Sequence, residues 1–412
     1  MWRTSLTPSS TTPRPTGRFP PRSIIGPVTD LETRAAPSRA GALRRAAPAL
    51  LGYAAVRALG LITLALWSAA RDKSAYTLLT ARWDALWYTR VADLGYGYEV
   101  RLANGDVHSN LAFFPLLPWL ERLVAAVSPL SYADGGFLVS LFASLAAAWG
   151  IFAVADHVYG RRAGVCAVLL WAVLPVGIVQ SMAYSESLFT ALAAWSLYAV
   201  LTGRWVTAGA LALAAGLTRP VGMAVVAAVW VAAVASFARD RRTGGASGTA
   251  RAASMLLAPL GTAGYVLWVG HRTGKGPLGY LDVQAGWRNG FDGGYAFARF
   301  VAEKFTSFPS ALAGAGLVLG VASVIWLYAV GVRQRQPLPL LVYTGVVTAL
   351  ALCASSYFGS KPRLLMPAFP LLLPLALALA KLSIRRSAWV LGPMAVVSAV
   401  YGAFWLNGSG PP

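Results

Sequence analysis

Apolar stretches of roughly twenty residues, each long enough to cross a hydrocarbon core as a single helix, recur along this chain from Ala47 to its C-terminal end. Water cannot satisfy backbone groups inside a bilayer, so only helices or closed barrels are open to such a chain. The runs are continuous in Ala, Leu and Val and do not alternate with polar residues, which selects helices over a barrel. The expected fold class is therefore an all-α, polytopic integral membrane bundle.

Composition agrees with that reading. Of 412 residues 57% are hydrophobic and 12% charged, where a soluble domain carries about a quarter charged residues. The mean hydropathy is +0.58. The formal net charge of +20 does not point to nucleic acid, because the Arg and Lys residues fall between apolar spans, where they mark cytoplasmic loops and meet anionic lipid headgroups. Cys166 and Cys353 lie inside apolar runs and make neither a disulfide framework nor a metal site. The Ala/Arg/Gly bias points to a high-GC bacterium. Residues 1–46, rich in Pro, Ser, Thr and Arg, read as a disordered cytoplasmic tail without the short apolar core of a secretory signal.

The apolar spans fall at about 47–70, 136–157, 163–181, 187–201, 205–218, 220–238, 252–270, 309–331, 338–356, 364–381 and 387–406. A further apolar segment, 111–130, contains Pro115, Pro118 and the pair Glu121–Arg122, a costly pair at mid-membrane. The positive-inside rule decides its place. If 111–130 does not cross, Arg44–Arg45, Arg161–Arg162, Arg204, the Arg239–Arg251 group, Arg333–Arg335 and Lys381–Arg386 all lie on one side. If it crosses, every cluster after the first moves outside. The segment is therefore expected to be an interfacial or re-entrant helix. The outcome is about eleven spans with the N-terminus inside and the C-terminus, 407–412, outside. Two external loops, 71–135 and 271–308, are then long.

Four constellations fall on the external side. The first loop carries Arg82, Trp83, Asp84, Trp87 and Tyr88, then Gly95-Tyr96, and ends on Phe113-Phe114-Pro115. Asp84 suits a helix N-cap or a base at the membrane surface. Trp83, Trp87 and Tyr88 form an aromatic face that suits the membrane interface or a sugar ring. Tyr184-Ser185-Glu186-Ser187 places Glu186 at a helix start, as a dipole partner or a site carboxylate. Arg219, before Pro220, and Lys361 and Arg363, around Pro362, are cations on the disfavoured side of the membrane, either snorkelling or holding a phosphate. The second loop (Asp282, Trp287, Arg288, Asp292, Tyr295) reads as an ordinary polar-aromatic interfacial loop, with a contribution to acceptor choice as the alternative. No Walker loop, HExxH or dinucleotide-binding glycine pattern is present. Carboxylates from two elements and cations from two others imply one external site with a general base and a phosphate cradle. An outside site has no nucleotide supply, so a lipid-carried donor fits better.

The run Trp83-Asp84-x-x-Trp87-Tyr88, then Gly95-Tyr96, then Ala112-Phe113-Phe114-Pro115-Leu116-x-Pro118, resembles the PIG-V family, the GPI mannosyltransferase II type, which has bacterial relatives. Tyr184–Phe189 and Arg219-Pro220-x-Gly222 resemble later blocks of that family. The resemblance covers most of 75–225, and beyond it only the helix pattern and Lys361–Arg363 match loosely. It implies a GT-C glycosyltransferase bundle, a polyprenyl-phosphate-mannose donor, inversion at the anomeric carbon, Asp84 as catalytic base, and no firm metal requirement or cofactor.

The expectation is a mannosyltransferase in a bacterial cell membrane with its site on the extracytoplasmic face. Asp84 deprotonates a hydroxyl on a glycolipid, glycan or protein acceptor. Arg219 with Lys361 or Arg363 steadies the leaving lipid phosphate, and Glu186 positions sugar or acceptor. Segment 111–130 walls the cleft, with Phe113 and Phe114 near the lipid, and Arg82, Trp83, Trp87 and Tyr88 line it. The rivals are a transporter or flippase, a non-catalytic assembly factor, and an enzyme of the same kind using another polyprenyl-phosphate sugar.

Overall fold

The computed structural model describes residues 39–243, 248–355 and 357–408, with 1 and 410. Most of the expected tail therefore lies outside the described residues. The first helix, α1 (Arg39–Ala69), begins inside the stretch assigned to the tail and carries Pro48 within it. The first loop then holds α2 (Ala75–Thr80), α3 (Asp84–Leu94), the antiparallel hairpin β1 (Glu99–Arg101) and β2 (Val107–Ser109), and α4 (Leu116–Val127).

α5 (Tyr132–Tyr159) starts on a capping box, in which Ser131 and Asp134 satisfy each other's backbone N–H groups. α6 (Arg161–Ala172), α7 (Ser185–Leu201), α8 (Trp205–Gly216) and α9 (Met223–Thr243) follow. Next come α10 (Thr249–Leu257), α11 (Leu260–Thr273), and the second-loop helices α12 (Gly279–Gly286) and α13 (Tyr295–Glu303). The chain ends with α14 (Ser310–Arg333), α15 (Leu338–Cys353), α16 (Lys361–Leu365), α17 (Leu373–Lys381) and α18 (Ile384–Leu406).

Every apolar run read from the sequence contains helix, but the count of full spans differs from the expected eleven. Among the described residues six helices are long and apolar enough to cross a membrane: 41–69, 132–159, 220–240, 249–273, 310–333 and 384–406. The segments 358–365 and 369–381 add a seventh if their pair, bent by 76°, is one broken span. The rest are short. α8 has 12 residues and α15 has 16, so at 1.5 Å per residue they reach roughly 18 and 24 Å against about 30 Å of hydrocarbon. Run 163–181 breaks after Ala172, ahead of Pro175, into a 3₁₀ turn at Gly177–Ser181, because proline disfavours helix at the residue before it. The break frees carbonyl groups, and Arg57, buried in the middle of α1, donates to Ala172 O and Gly177 O. That intramembrane cation escaped the sequence reading, and its partners give it a structural task.

Segment 111–130 holds no helix long and apolar enough to cross a membrane. Its regular part, α4, is only 12 residues long. Of the pair flagged as costly, Arg122 donates to Val91 O at 3.3 Å and to Ala92 O, so it caps the end of α3. Glu121 is fully buried with no hydrogen-bond partner among the described residues.

The apolar core joins α1, α5 to α9, α15, α17 and α18. Close helix approach depends on small residues; a Cβ on Gly209 of α8 would sit 2.8 Å from Ser254 Cα. A smaller cluster of Leu111, Phe114, Tyr265, Val269 and Tyr280 clamps the end of the first loop to α11 and α12. The bundle has two distinct ends. At one, Arg45 pairs with Asp156, Arg161 donates to Arg45 O, and Arg162 donates to Leu382 O, joining the basic helix ends. At the other, α3, the start of α7, the end of α8 and α16 come together. The C-terminal stretch is anchored here, since Asn407 donates to Ser68 Oγ at 3.1 Å and accepts from Lys73.

Candidate active site

Asp84 is the first residue of α3, where an acid suits the helix dipole. The residue before it, Trp83, has φ 51°, an outlying conformation for a bulky aromatic and a sign of locally stored strain. The turn aims the Asp84 carboxylate across the bundle, and Arg363 Nη1 donates to Asp84 Oδ2 at 2.7 Å. The Asp84 side chain keeps 26% of its exposure, whereas Arg363 keeps 9%.

Glu186 lies in the first turn of α7 and its side chain is 1% exposed. Its Oε1 forms an ion pair with Arg219 Nη1 and lies 3.4 Å from Arg363 Nε. Arg219 stands in extended backbone between α8 and the 3₁₀ turn at Pro220–Gly222. It also donates to Ser185 Oγ at 3.2 Å, and that hydroxyl shares a 2.7 Å hydrogen bond with Tyr88 Oη. The Arg363 guanidinium lies over the Tyr184 ring, 5.2 Å from its centroid. Asp84, Arg363, Glu186 and Arg219 therefore form one continuous chain of alternating charge. Two carboxylates offset two guanidiniums, and Asp84 is the exposed end.

The other expected residues are placed differently. Lys361 is not in this chain. Its ammonium donates to Ala351 O and Ala354 O at 2.8 Å and to Leu352 O at 3.3 Å, closing the C-terminus of α15. Three donors to three carbonyls exhaust an ammonium group, so a phosphate would have to displace a helix cap to reach it. Arg82 donates to Leu406 O at 3.3 Å, at the end of α18, and covers the Trp83 ring. Trp87 stacks on Phe113 at 5.7 Å and takes the Trp287 ring edge-on at 4.8 Å. Its aromatic face packs against protein in this structure. Phe114 is core, 4.4 Å from Tyr265 and 5.6 Å from Tyr280. Segment 111–130 does flank the site, since Leu116 N donates to Leu217 O beside Arg219.

No family model matches the chain, and no curated protein matches it. Among solved structures it is similar to ArnT from Cupriavidus metallidurans bound to undecaprenyl phosphate, at 16% identity and TM-score 0.49, over 84% of this chain and 61% of that one. It is also similar to the Archaeoglobus fulgidus oligosaccharyltransferase in complex with Zn and sulfate, at 16% identity and TM-score 0.42, over 86% of this chain and 53% of that one. The archaeal oligosaccharyltransferase AglB with an inhibitory peptide and a dolichol-phosphate matches at 13% identity and TM-score 0.42, over 87% of this chain and 56% of that one. The chain thus spans less than two thirds of each of these structures.

Two residues join the site that sequence reasoning left out of it, and a third packs on the aromatic face beside it. Ser185 and Tyr184 stand in the same motif as Glu186, but nothing local told which of that run faces inward. Trp287, from the loop read as ordinary interface, stacks with His108 at 4.0 Å, and its indole donates to Ser109 O at 3.0 Å. It seats α12 on the hairpin of the first loop, and the ion pair of Arg288 with Asp106 at 2.6 Å reinforces that seat. Among the described residues no group of three or more His, Cys, Asp or Glu side chains comes together to hold a metal ion.

Proposed function

We propose that the protein is an inverting membrane glycosyltransferase of the GT-C type. It moves mannose from a polyprenyl-phosphate-mannose donor to a hydroxyl acceptor at the extracytoplasmic face. The observation that carries this reading is the Asp84–Arg363–Glu186–Arg219 chain. It places a partly exposed carboxylate against one arginine, with a second arginine linked to the first through Glu186, at the ends of short helices and opposite the basic helix ends. The resemblance of 75–225 to the PIG-V family supports mannose as the sugar.

In this reading Asp84 takes the proton of an acceptor hydroxyl as the oxygen bonds to the anomeric carbon. The bond from that carbon to the phosphate oxygen breaks on the opposite face, and its electron pair stays on the phosphate. Arg363 and Arg219 hold the departing dianion, for which paired guanidiniums suit a phosphate better than a point charge does. Glu186, at 1% exposure, orients both arginines and touches no substrate, a change from the role expected of it. Lys361 takes no part. Buried Arg57 is an intramembrane cation of the kind a transporter uses, but its bonds to Ala172 O and Gly177 O give it a structural task. The acceptor side is walled by α3, α4 and the second loop.

The test is transfer from polyprenyl-phosphate mannose in membrane vesicles carrying wild type or Asp84→Asn. Loss of about 10²–10⁴-fold in rate is expected for removal of a general base. Full activity in the variant would overturn the assignment of the base, and a tag inserted near position 90 that is reached only from the cytosol would overturn the sidedness.

A further inference from the structure

Both guanidiniums of the site already have carboxylate partners. Arg363 meets Asp84 at 2.7 Å and Glu186 at 3.4 Å, and Arg219 pairs with Glu186. A third anion finds neither of these two guanidiniums uncommitted. The two carboxylates are not equally replaceable. Glu186 is 1% exposed and lies between two arginines, so release would strand a charge in a dry site. Asp84 is 26% exposed and held by one contact, so it regains water on release. A phosphate entering from the open side therefore displaces Asp84 and leaves Glu186 in place.

We propose that Asp84 and the phosphate of a polyprenyl-phosphate sugar compete for Arg363, so that the base is masked in the donor-free protein and the donor's arrival frees it. This rests on the sugar-transfer reading above and adds an obligatory order to it, donor before acceptor. While Arg363 donates to Asp84, the oxygen that would take the acceptor proton is engaged. Once Arg363 turns to the phosphate, Asp84 accepts that proton, the acceptor oxygen bonds to the anomeric carbon, and the phosphate leaves with the electron pair of the broken bond. The freed polyprenyl phosphate has gained one negative charge and keeps Arg363 until it departs. Asp84 then loses its proton to water and the pair re-forms.

Competition has a sign that a simple base lacks. The experiment measures the affinity of undecaprenyl phosphate for the purified full-length protein in lipid nanodiscs. Asp84→Asn should bind it about five- to tenfold more tightly than wild type, because a partly exposed ion pair no longer has to be broken. Arg363→Gln should weaken binding, and the double variant should show no gain over Arg363→Gln alone. Asp84→Ser carries the same expectation should the Asn variant fold poorly. Unchanged or weaker binding by both Asp84 variants, with wild type binding normally, would overturn the masking and leave the sugar-transfer reading standing. No binding by wild type would remove that reading as well.

Discussion

The Asp84 carboxylate and the Arg363 guanidinium lie 2.7 Å apart although 279 positions separate them in the chain. The contact closes the bundle between its first loop and α16. It exists because both elements are irregular where they meet. α3 starts on a strained turn at Trp83, and α16 is a five-residue helix before a 76° bend. The bend falls just after Arg363, between Leu365 and Phe369.

Glu186 is the electrostatic keystone of that contact. Glu186→Gln leaves Arg219 and Arg363 buried with one carboxylate between them, which costs about 3–5 kcal/mol. Thermal unfolding in detergent should show a clear fall in Tm. Adding Arg219→Met to Glu186→Gln should recover part of that loss, because it removes one of the stranded charges.

Lys361 and Arg363 should separate cleanly in kinetics. Lys361→Met leaves the last carbonyls of α15 without their donor, which costs about 1–3 kcal/mol of stability, while the KM for the lipid donor stays near wild type. Arg363→Gln should raise that KM. Equal effects of the two substitutions on KM would contradict the placement of Lys361 as a helix cap.

Glu121 sets a pH dependence of stability. Burial pushes its carboxyl well above the ordinary value of 4.5. In the window above that value the folded chain keeps a proton that the unfolded chain has released, so stability falls as the pH rises. Glu121→Gln, neutral throughout, removes this loss. It should be more stable than wild type at pH 8, with the difference shrinking toward pH 4.5. A Tm difference that does not vary with pH would refute this.

Trp287 holds the second loop on the first through Trp87, Phe113 and His108. Each ring pair contributes about 0.5–1.5 kcal/mol. Trp287→Ala should open the α12 region to limited proteolysis and raise the KM for the acceptor more than that for the donor.

The sequence was most legible where the physics is local. Each apolar run contains helix, and segment 111–130 forms no helix long and apolar enough to span, because hydropathy and proline content act residue by residue. Helix length was less legible. α6 and α8 stop early because Pro175, and the Thr218–Pro220 junction with its polar partners, interrupt runs that remain apolar in composition. The tasks of Arg57 and Arg122 were hidden for a related reason. Both serve carbonyls at helix ends more than twenty positions away, and such partners leave no periodic trace.

From the chain alone came the membrane bundle, its polar ends, and a short set of carboxylates and cations at span ends, since transfer of a side chain between water and lipid depends on that side chain and its near neighbours. Tertiary structure decided which of them meet. Lys361 and Arg363 look equivalent in sequence, yet two helical positions set them about 200° apart around the axis. One therefore turns to the carbonyls of α15 and the other to Asp84 and Glu186.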